Sequence, residues 1–143
     1  MNSQTVVDNI HVLLVDDDPN ENLILQRLFR KLTTPTISLE YVGDISKAVE
    51  CVSHSPIDIV LLDNRLLPNN DFRETVPQLR AVGYTGPIGI ISSDVSGPYF
   101  QSFAEYGADF RIGKEEIDAS TIAFILEEYM RNLLPDDCLE DYL

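Results

Sequence analysis

Three carboxylates stand side by side at Asp16-Asp17-Asp18, directly after the apolar run Val12-Leu13-Leu14-Val15. Adjacent anions repel one another, so stability alone does not place them at the end of a buried strand. A hard, oxygen-seeking cation makes the arrangement favourable. A second run, Ile57-Asp58-Ile59-Val60-Leu61-Leu62, also ends in an aspartate, Asp63. Two strand ends that both deliver carboxylates imply one composite acidic site at the edge of a parallel sheet. Ser92 follows the run Ile88-Gly89-Ile90-Ile91, and Lys114 follows a short strand-like stretch over 108–113. A hydroxyl, an ammonium and a carboxylate cluster around a divalent cation are the parts that phosphoryl transfer needs. The cation and the lysine neutralise phosphoryl oxygens while the hydroxyl donates a hydrogen bond. A carboxylate can itself be the nucleophile, forming an acyl phosphate.

Alternating elements must position these groups. Asp18 caps, and Pro19 begins, a helix running to Leu32, with Leu25, Leu28, Phe29 and Leu32 on one face. A strand over Ile37–Tyr41 follows, then a helix started by Gly43-Asp44 and stopped by Pro56. After Asp63 comes a loop to Asn70 and a helix to about Val82, which Pro77 should kink or shift. The strand Ile88–Ile91 leads to a helix over 98–106, closed by Gly107. Asp118 caps a last helix whose apolar face carries Ile122, Ile125, Leu126, Tyr129 and Leu133. Tyr41, Tyr129 and the phenylalanines read as core, and His11 and His54 as structural or exposed. The pattern predicts an α/β protein, a doubly wound parallel sheet of five βα units, with ligands at the carboxyl ends of the strands.

Bulk properties narrow the function. With 143 residues the chain is one domain's worth, and its 44% hydrophobic and 24% charged residues are ordinary for a globular protein. Ten Lys plus Arg against 24 Asp plus Glu give a formal net charge of −14. That balance argues against nucleic acid as a partner, and equally against an anionic membrane surface. No apolar run approaches the roughly 18–20 residues of a membrane span, and Met1-Asn2-Ser3-Gln4-Thr5 lacks the features of a secretory signal. Cys51 and Cys138 form no disulfide framework, so a cytoplasmic location is expected.

Val15-Asp16-Asp17, Leu62-Asp63, Ser92 and Lys114, each at its strand end, closely resemble the motif set of the receiver domain of two-component response regulators. The resemblance covers about residues 10–133, leaving an N-terminal tail, 1–9, and an acidic C-terminal tail, 134–143. It implies a (βα)5 flavodoxin-like receiver fold. It further implies that Asp63 is the phosphoacceptor, Ser92 the switch hydroxyl and Lys114 the group that pairs with the phosphoryl oxygens. By the same resemblance Asp17, Asp63 and the backbone carbonyl of Arg65 ligate Mg²⁺ (or Mn²⁺), with Asp16 acting through water. The donor would be a histidine kinase or a histidine phosphotransfer protein, and the output a protein contact or a phosphorelay to a partner the sequence does not name. With no output module in the sequence, a stand-alone, single-domain type of regulator is expected, one that catalyses only its own phosphorylation and dephosphorylation.

Three positions depart from the family's pattern. Glu115 follows Lys114 where the family has a proline, often in a cis bond; Arg111 replaces the switch aromatic; and Pro68 falls one residue late. These departures keep an alternative open, a pseudo-receiver that binds a partner independently of phosphorylation. A phosphohydrolase on a related sheet would need a general acid two residues after the nucleophile, where Arg65 stands. Arg65 and Asp94 also flank the path of the attacking water in the family, and their opposite charges predict an ion pair that slows loss of the phosphoryl group.

Overall fold

A computed structural model describes residues 9–32 and 36–129. The strands are β1 (Asn9–Val15), β2 (Thr36–Val42), β3 (Ile59–Asp63), β4 (Ile88–Ser92) and β5 (Phe110–Gly113). The α-helices are α1 (Pro19–Arg30), α2 (Ile45–His54), α3 (Phe72–Ala81) and α4 (Ala119–Tyr129). All strand pairings are parallel, and the order across the five-stranded sheet is β2-β1-β3-β4-β5.

Strand residues alternate between two cores. Val12, Leu14, Ile59, Leu61 and Ile91 face one side, where α1 and α4 cover them with Leu25, Phe29, Ile122 and Ile125. Leu13, Val15, Val60, Leu62 and Ile90 face the other, against Ala48 of α2 and Phe72, Val76 and Leu79 of α3. Near-continuous apolar strands are what a sheet buried on both faces requires. The chain leaves β1 for one edge and returns to β3 on the other side of it, so the topological switch point lies between β1 and β3. Asp16, Asp17 and Asp63 stand there.

Local signals hold. Asp18, Asp44 and Asp71 cap α1, α2 and α3 through side-chain acceptance of backbone N–H groups. The Asp118 carboxylate likewise accepts from Thr121 N at the start of α4. Gly107 ends its segment in the left-handed region at φ 102°. Gly89 answers a different need: a Cβ there would collide with the Phe110 ring on β5.

Several expectations are corrected. β3 starts at Ile59, two residues late, because Asp58 pairs with His11: its N–H donates to the His11 carbonyl and its carboxylate accepts from the His11 N–H. α3 runs unbroken through Pro77, with Val76 and Leu79 fully buried on either side. The segment Pro98–Tyr106 is a 3-10 helix and not an α-helix, and it is interrupted at Ser102, whose hydroxyl donates to the Tyr99 carbonyl. Phe124 is 64% exposed, whereas the other five phenylalanines are buried or packed against a core. Both proposed tails and Leu133 lie outside the described residues, apart from Asn9, which begins β1.

Candidate phosphoryl-transfer site

The carboxyl ends of β1, β3, β4 and β5 bring together the residues singled out in the sequence. Carboxylate oxygens of Asp16, Asp17 and Asp63 all lie within 4.8 Å of one another. Asp16 is fully buried, Asp63 is 7% exposed and Asp17 faces solvent. Asp18 stays apart as the cap of α1, its side chain accepting from Asn20 N at 3.0 Å. Lys114, one residue past β5, places Nζ 3.0 Å from Asp16 Oδ2 and 3.5 Å from Asp63 Oδ1.

These contacts set the electrostatics. Burial, reinforced by the Asp16 charge, pushes the Asp63 carboxyl up to about 7, against the opposing pull of Lys114. Burial alone would lower the Lys114 ammonium, but the short contact with Asp16 and the Asp63 charge hold it above its ordinary value. One ammonium therefore fails to neutralise the cluster. Asp16 Oδ2 lies in ion-pair range of Lys114 without the alignment of a hydrogen bond, which leaves a buried carboxylate oxygen with no aligned donor. A converging all-oxygen set with surplus negative charge and an orphaned acceptor suits a hard divalent cation that keeps some of its water.

Ser92 is 8% exposed at the end of β4, and its hydroxyl donates to the Asp94 carbonyl at 3.0 Å. Arg65 is exposed and lines, with Asp17, Asp63, Ser92 and Lys114, an open cavity of about 650 Å³. The expected Arg65–Asp94 ion pair is not formed: Asp94 Oδ1 accepts from Ser96 N at 2.9 Å and Ser96 Oγ at 2.6 Å. A local turn satisfies Asp94 at lower entropic cost than reaching for a long arginine. Lys114–Glu115 is a trans peptide, and among the described residues the cis bond is Leu67–Pro68. Lys114 instead opens a 3-10 turn to Glu116, whose carboxylate accepts from Gly113 N at 2.8 Å. Arg111 lies outside the cavity, donating to the Val95 carbonyl at 3.3 Å with its guanidinium 6.0 Å from the Phe103 ring centre.

One participant escaped the sequence analysis. Asn64, directly after Asp63, is 2% exposed, and its backbone N–H donates to the Ile91 carbonyl of β4 at 2.8 Å. Its side chain accepts from Phe72 N at 3.1 Å and donates to the Tyr99 hydroxyl at 2.9 Å. Asparagine after a strand reads as a turn residue, and nothing local in the sequence links it to a tyrosine 35 positions away.

Known proteins resemble this chain in sequence and fold. A family model described as the response regulator receiver domain matches residues 12–125. Two-component response regulator ORR42 of Oryza sativa subsp. japonica is 31% identical over 126 residues, 87% of this chain and 90% of that protein. Among solved structures, the receiver domain of sensor histidine kinase PA1611 from Pseudomonas aeruginosa PAO1 superposes with a TM-score of 0.71 at 20% identity, over 85% of this chain and 97% of that one. That structure holds a magnesium ion coordinated in its active site cleft. A CheY-like receiver domain protein from Methanospirillum hungatei JF-1 gives a TM-score of 0.72 at 14% identity, over 87% of this chain and 95% of that one.

Proposed function

Because this chain belongs to the response regulator receiver domain family, we propose that it is a phosphorylation switch whose acceptor is Asp63. The observation that carries the reading is the contact set of the Asp63 carboxylate. It is 7% exposed, 3.5 Å from Lys114 Nζ and clustered with the oxygens of Asp16 and Asp17. A carboxylate oxygen of Asp63 attacks phosphorus in line as the bond to the donor's imidazole nitrogen, or to its acyl oxygen, breaks. The electron pair of that bond leaves with the donor. Mg²⁺ or Mn²⁺, held by Asp17, Asp63, the Arg65 carbonyl and, through water, Asp16, would neutralise the phosphoryl oxygens and keep Asp63 ionised. Lys114 is already within reach of the acceptor, so it meets a phosphoryl oxygen with little movement. The Ser92 hydroxyl must give up the Asp94 carbonyl to donate to the phosphoryl group.

In this reading residues 10–133 form the receiver unit. A histidine kinase or histidine phosphotransfer protein in the cytoplasm supplies the phosphoryl group, and the output is a protein contact or onward transfer. No helix among the described residues is long and apolar enough to cross a membrane. The chemistry acts on the chain itself and turns over no separate substrate. Incubation with acetyl phosphate or candidate kinases, with and without Mg²⁺, tests the reading. The expected product is one phosphate on Asp63, labile to base and hydroxylamine and absent in Asp63→Asn. Stable phosphate on Ser92 or Ser93 overturns the mechanism. No incorporation at all leaves the alternative, a partner-binding domain that works without phosphorylation.

A further inference from the structure

The loop between Ser92 and the 3-10 segment Pro98–Tyr106 is tied down at both ends. At its start the Ser92 hydroxyl donates to Asp94 O, and Asp94 N donates back to Ser92 Oγ at 3.3 Å. At its far end Tyr99, the second residue of the 3-10 segment, receives the Asn64 side-chain amide. Asn64 is itself immobilised: it is buried, its Oδ1 accepts from the first N–H of α3 and its backbone is bonded to β4. The residue next to the acceptor therefore reaches across the cavity floor and holds the loop's far end.

Tyr99 links that fixed point to the packing of the segment. Its ring stacks on Phe100 at 4.6 Å and on Phe72 at 5.6 Å, and the Arg73 guanidinium lies 4.5 Å over its face. Its hydroxyl accepts from Asn64 and has no acceptor for its own proton among the described residues, while the residue lines the same cavity as Asp63, Ser92 and Lys114. The segment it stands in is the least regular of the long helical elements, a 3-10 helix broken at Ser102 with no side-chain cap at Gly97. Such an element is held by tertiary ties more than by its own hydrogen bonds.

Resting on the phosphorylation reading above, we propose that the Asn64–Tyr99 hydrogen bond couples the state of Asp63 to the 3-10 segment Pro98–Tyr106. Asn64 and Tyr99 are positioning residues and neither accepts the phosphoryl group. When Ser92 turns toward a group on Asp63, the first tie is released and the loop over 93–97 shifts. The second tie then sets how that shift reaches Tyr99, and through the stacked rings the remainder of the segment. The surface that changes is the one carrying Tyr106, which is 37% exposed, and Phe103, on which Arg111 rests.

The test compares native protein, Tyr99→Phe and Gln101→Ala by backbone amide NMR, with Mg²⁺ alone and with Mg²⁺ plus beryllium fluoride as the phosphoryl mimic. Tyr99→Phe keeps the ring stack and removes only the hydroxyl. Gln101 is exposed on the same segment and serves as control. In native protein and Gln101→Ala, amide shifts should extend from Asp63 and Ser92 through Tyr106. In Tyr99→Phe they should stop near Gly97, while beryllium fluoride affinity stays within roughly threefold of native, about what one net hydrogen bond can change. Asn64→Ala, read for the extent of the amide shifts and not for affinity, should likewise confine them to the loop before Gly97. A native-like response in Tyr99→Phe overturns the coupling and leaves the phosphorylation reading intact. Failure of native protein to bind beryllium fluoride overturns both.

Discussion

Lys114 and Asp16 form a buried ion pair across the sheet: Nζ lies 3.0 Å from Oδ2, the lysine side chain is 18% exposed and the carboxylate is wholly enclosed. The partner expected for this lysine was the phosphoryl group on Asp63. In this structure it sits closer to Asp16 than to Asp63, which is 3.5 Å away. It thus has a structural task as well as a chemical one, screening repulsion between carboxylates that arrive from two strands.

Lys114→Ala should therefore destabilise the metal-free protein, by about 3 kcal/mol, because it leaves the buried Asp16 charge uncompensated. Millimolar Mg²⁺ should recover part of the loss, since a ligand that binds only the folded state stabilises it. Urea unfolding with EDTA and with Mg²⁺ measures both effects. Equal stability of variant and native protein in EDTA would show that the pair is solvated.

The Asp63 carboxyl gives a pH dependence of definite sign. Asp63 titrates near 7 in the folded chain against an ordinary 3.8 when unfolded. Below 3.8 it is protonated in both states and costs nothing. As pH rises the unfolded chain ionises first, so stability is lost progressively until pH passes about 7. Asp63→Asn removes this penalty. In EDTA it should be more stable than native protein at pH 8, by roughly 1–3 kcal/mol, with the difference fading near pH 4. Chemical denaturation at the two pH values decides it, and a variant less stable at pH 8 would contradict the assignment.

Neighbouring aspartates should separate cleanly in metal binding. Asp17→Ala and Asp63→Ala should abolish Mg²⁺ binding, because each removes a proposed direct ligand. Asp18→Ala should leave the affinity near native while costing about 1 kcal/mol of stability, because Asp18 caps α1. Calorimetric titration of the three variants checks this, and loss of Mg²⁺ binding in Asp18→Ala would place that carboxylate in the site.

The ends of β1, β3 and β4 were legible because each announces itself by a sharp change from apolar residues to Asp or Ser. That signal located Asp16, Asp17, Asp63 and Ser92, whereas Lys114 follows a stretch broken by Asp109 and Arg111 and was placed by the alternation of elements and the family resemblance. What was not legible depends on distance in sequence or on competition between local and remote partners. The Asn64–Tyr99 bond spans 35 residues and joins two types that occur in any loop. Residues 98–106 have helical spacing, and nothing in that spacing signals the 3-10 form or the break at Ser102, whose hydroxyl turns onto the Tyr99 carbonyl. Phe124 matches the apolar face of α4 by type and yet lies beside a shallow groove with Phe110 and Tyr129.

Gly89 tests the sheet itself. Any side chain there meets the Phe110 ring, which is stacked on Tyr129 at 4.9 Å and cannot withdraw without disturbing α4. Gly89→Ala should destabilise by about 1–3 kcal/mol through overpacking of β4 against β5. A neutral result in thermal unfolding would mean that the ring can swing away freely.

The last prediction concerns how the phosphoryl group is lost. The charges at Arg65 and Asp94 suggest a pair closed over the acceptor, but Asp94 is committed to Ser96 through two hydrogen bonds, which also hold its carboxyl below the usual range. Arg65 is exposed and has no carboxylate partner among the described residues. An exposed pair is weakened by solvent screening and by the entropy of ordering a long arginine, so it competes poorly with the short local bonds to Ser96. The two side chains should thus act independently. Arg65→Ala should alter the half-life of phosphorylated Asp63 through its own bulk and charge at the cavity rim. Asp94→Ala should act separately, by loosening the loop that Ser92 holds. The double variant should then show the product of the two single effects, as expected for sites that do not touch. Half-lives measured for all four proteins test this, and a double variant that departs severalfold from the product would restore the paired gate.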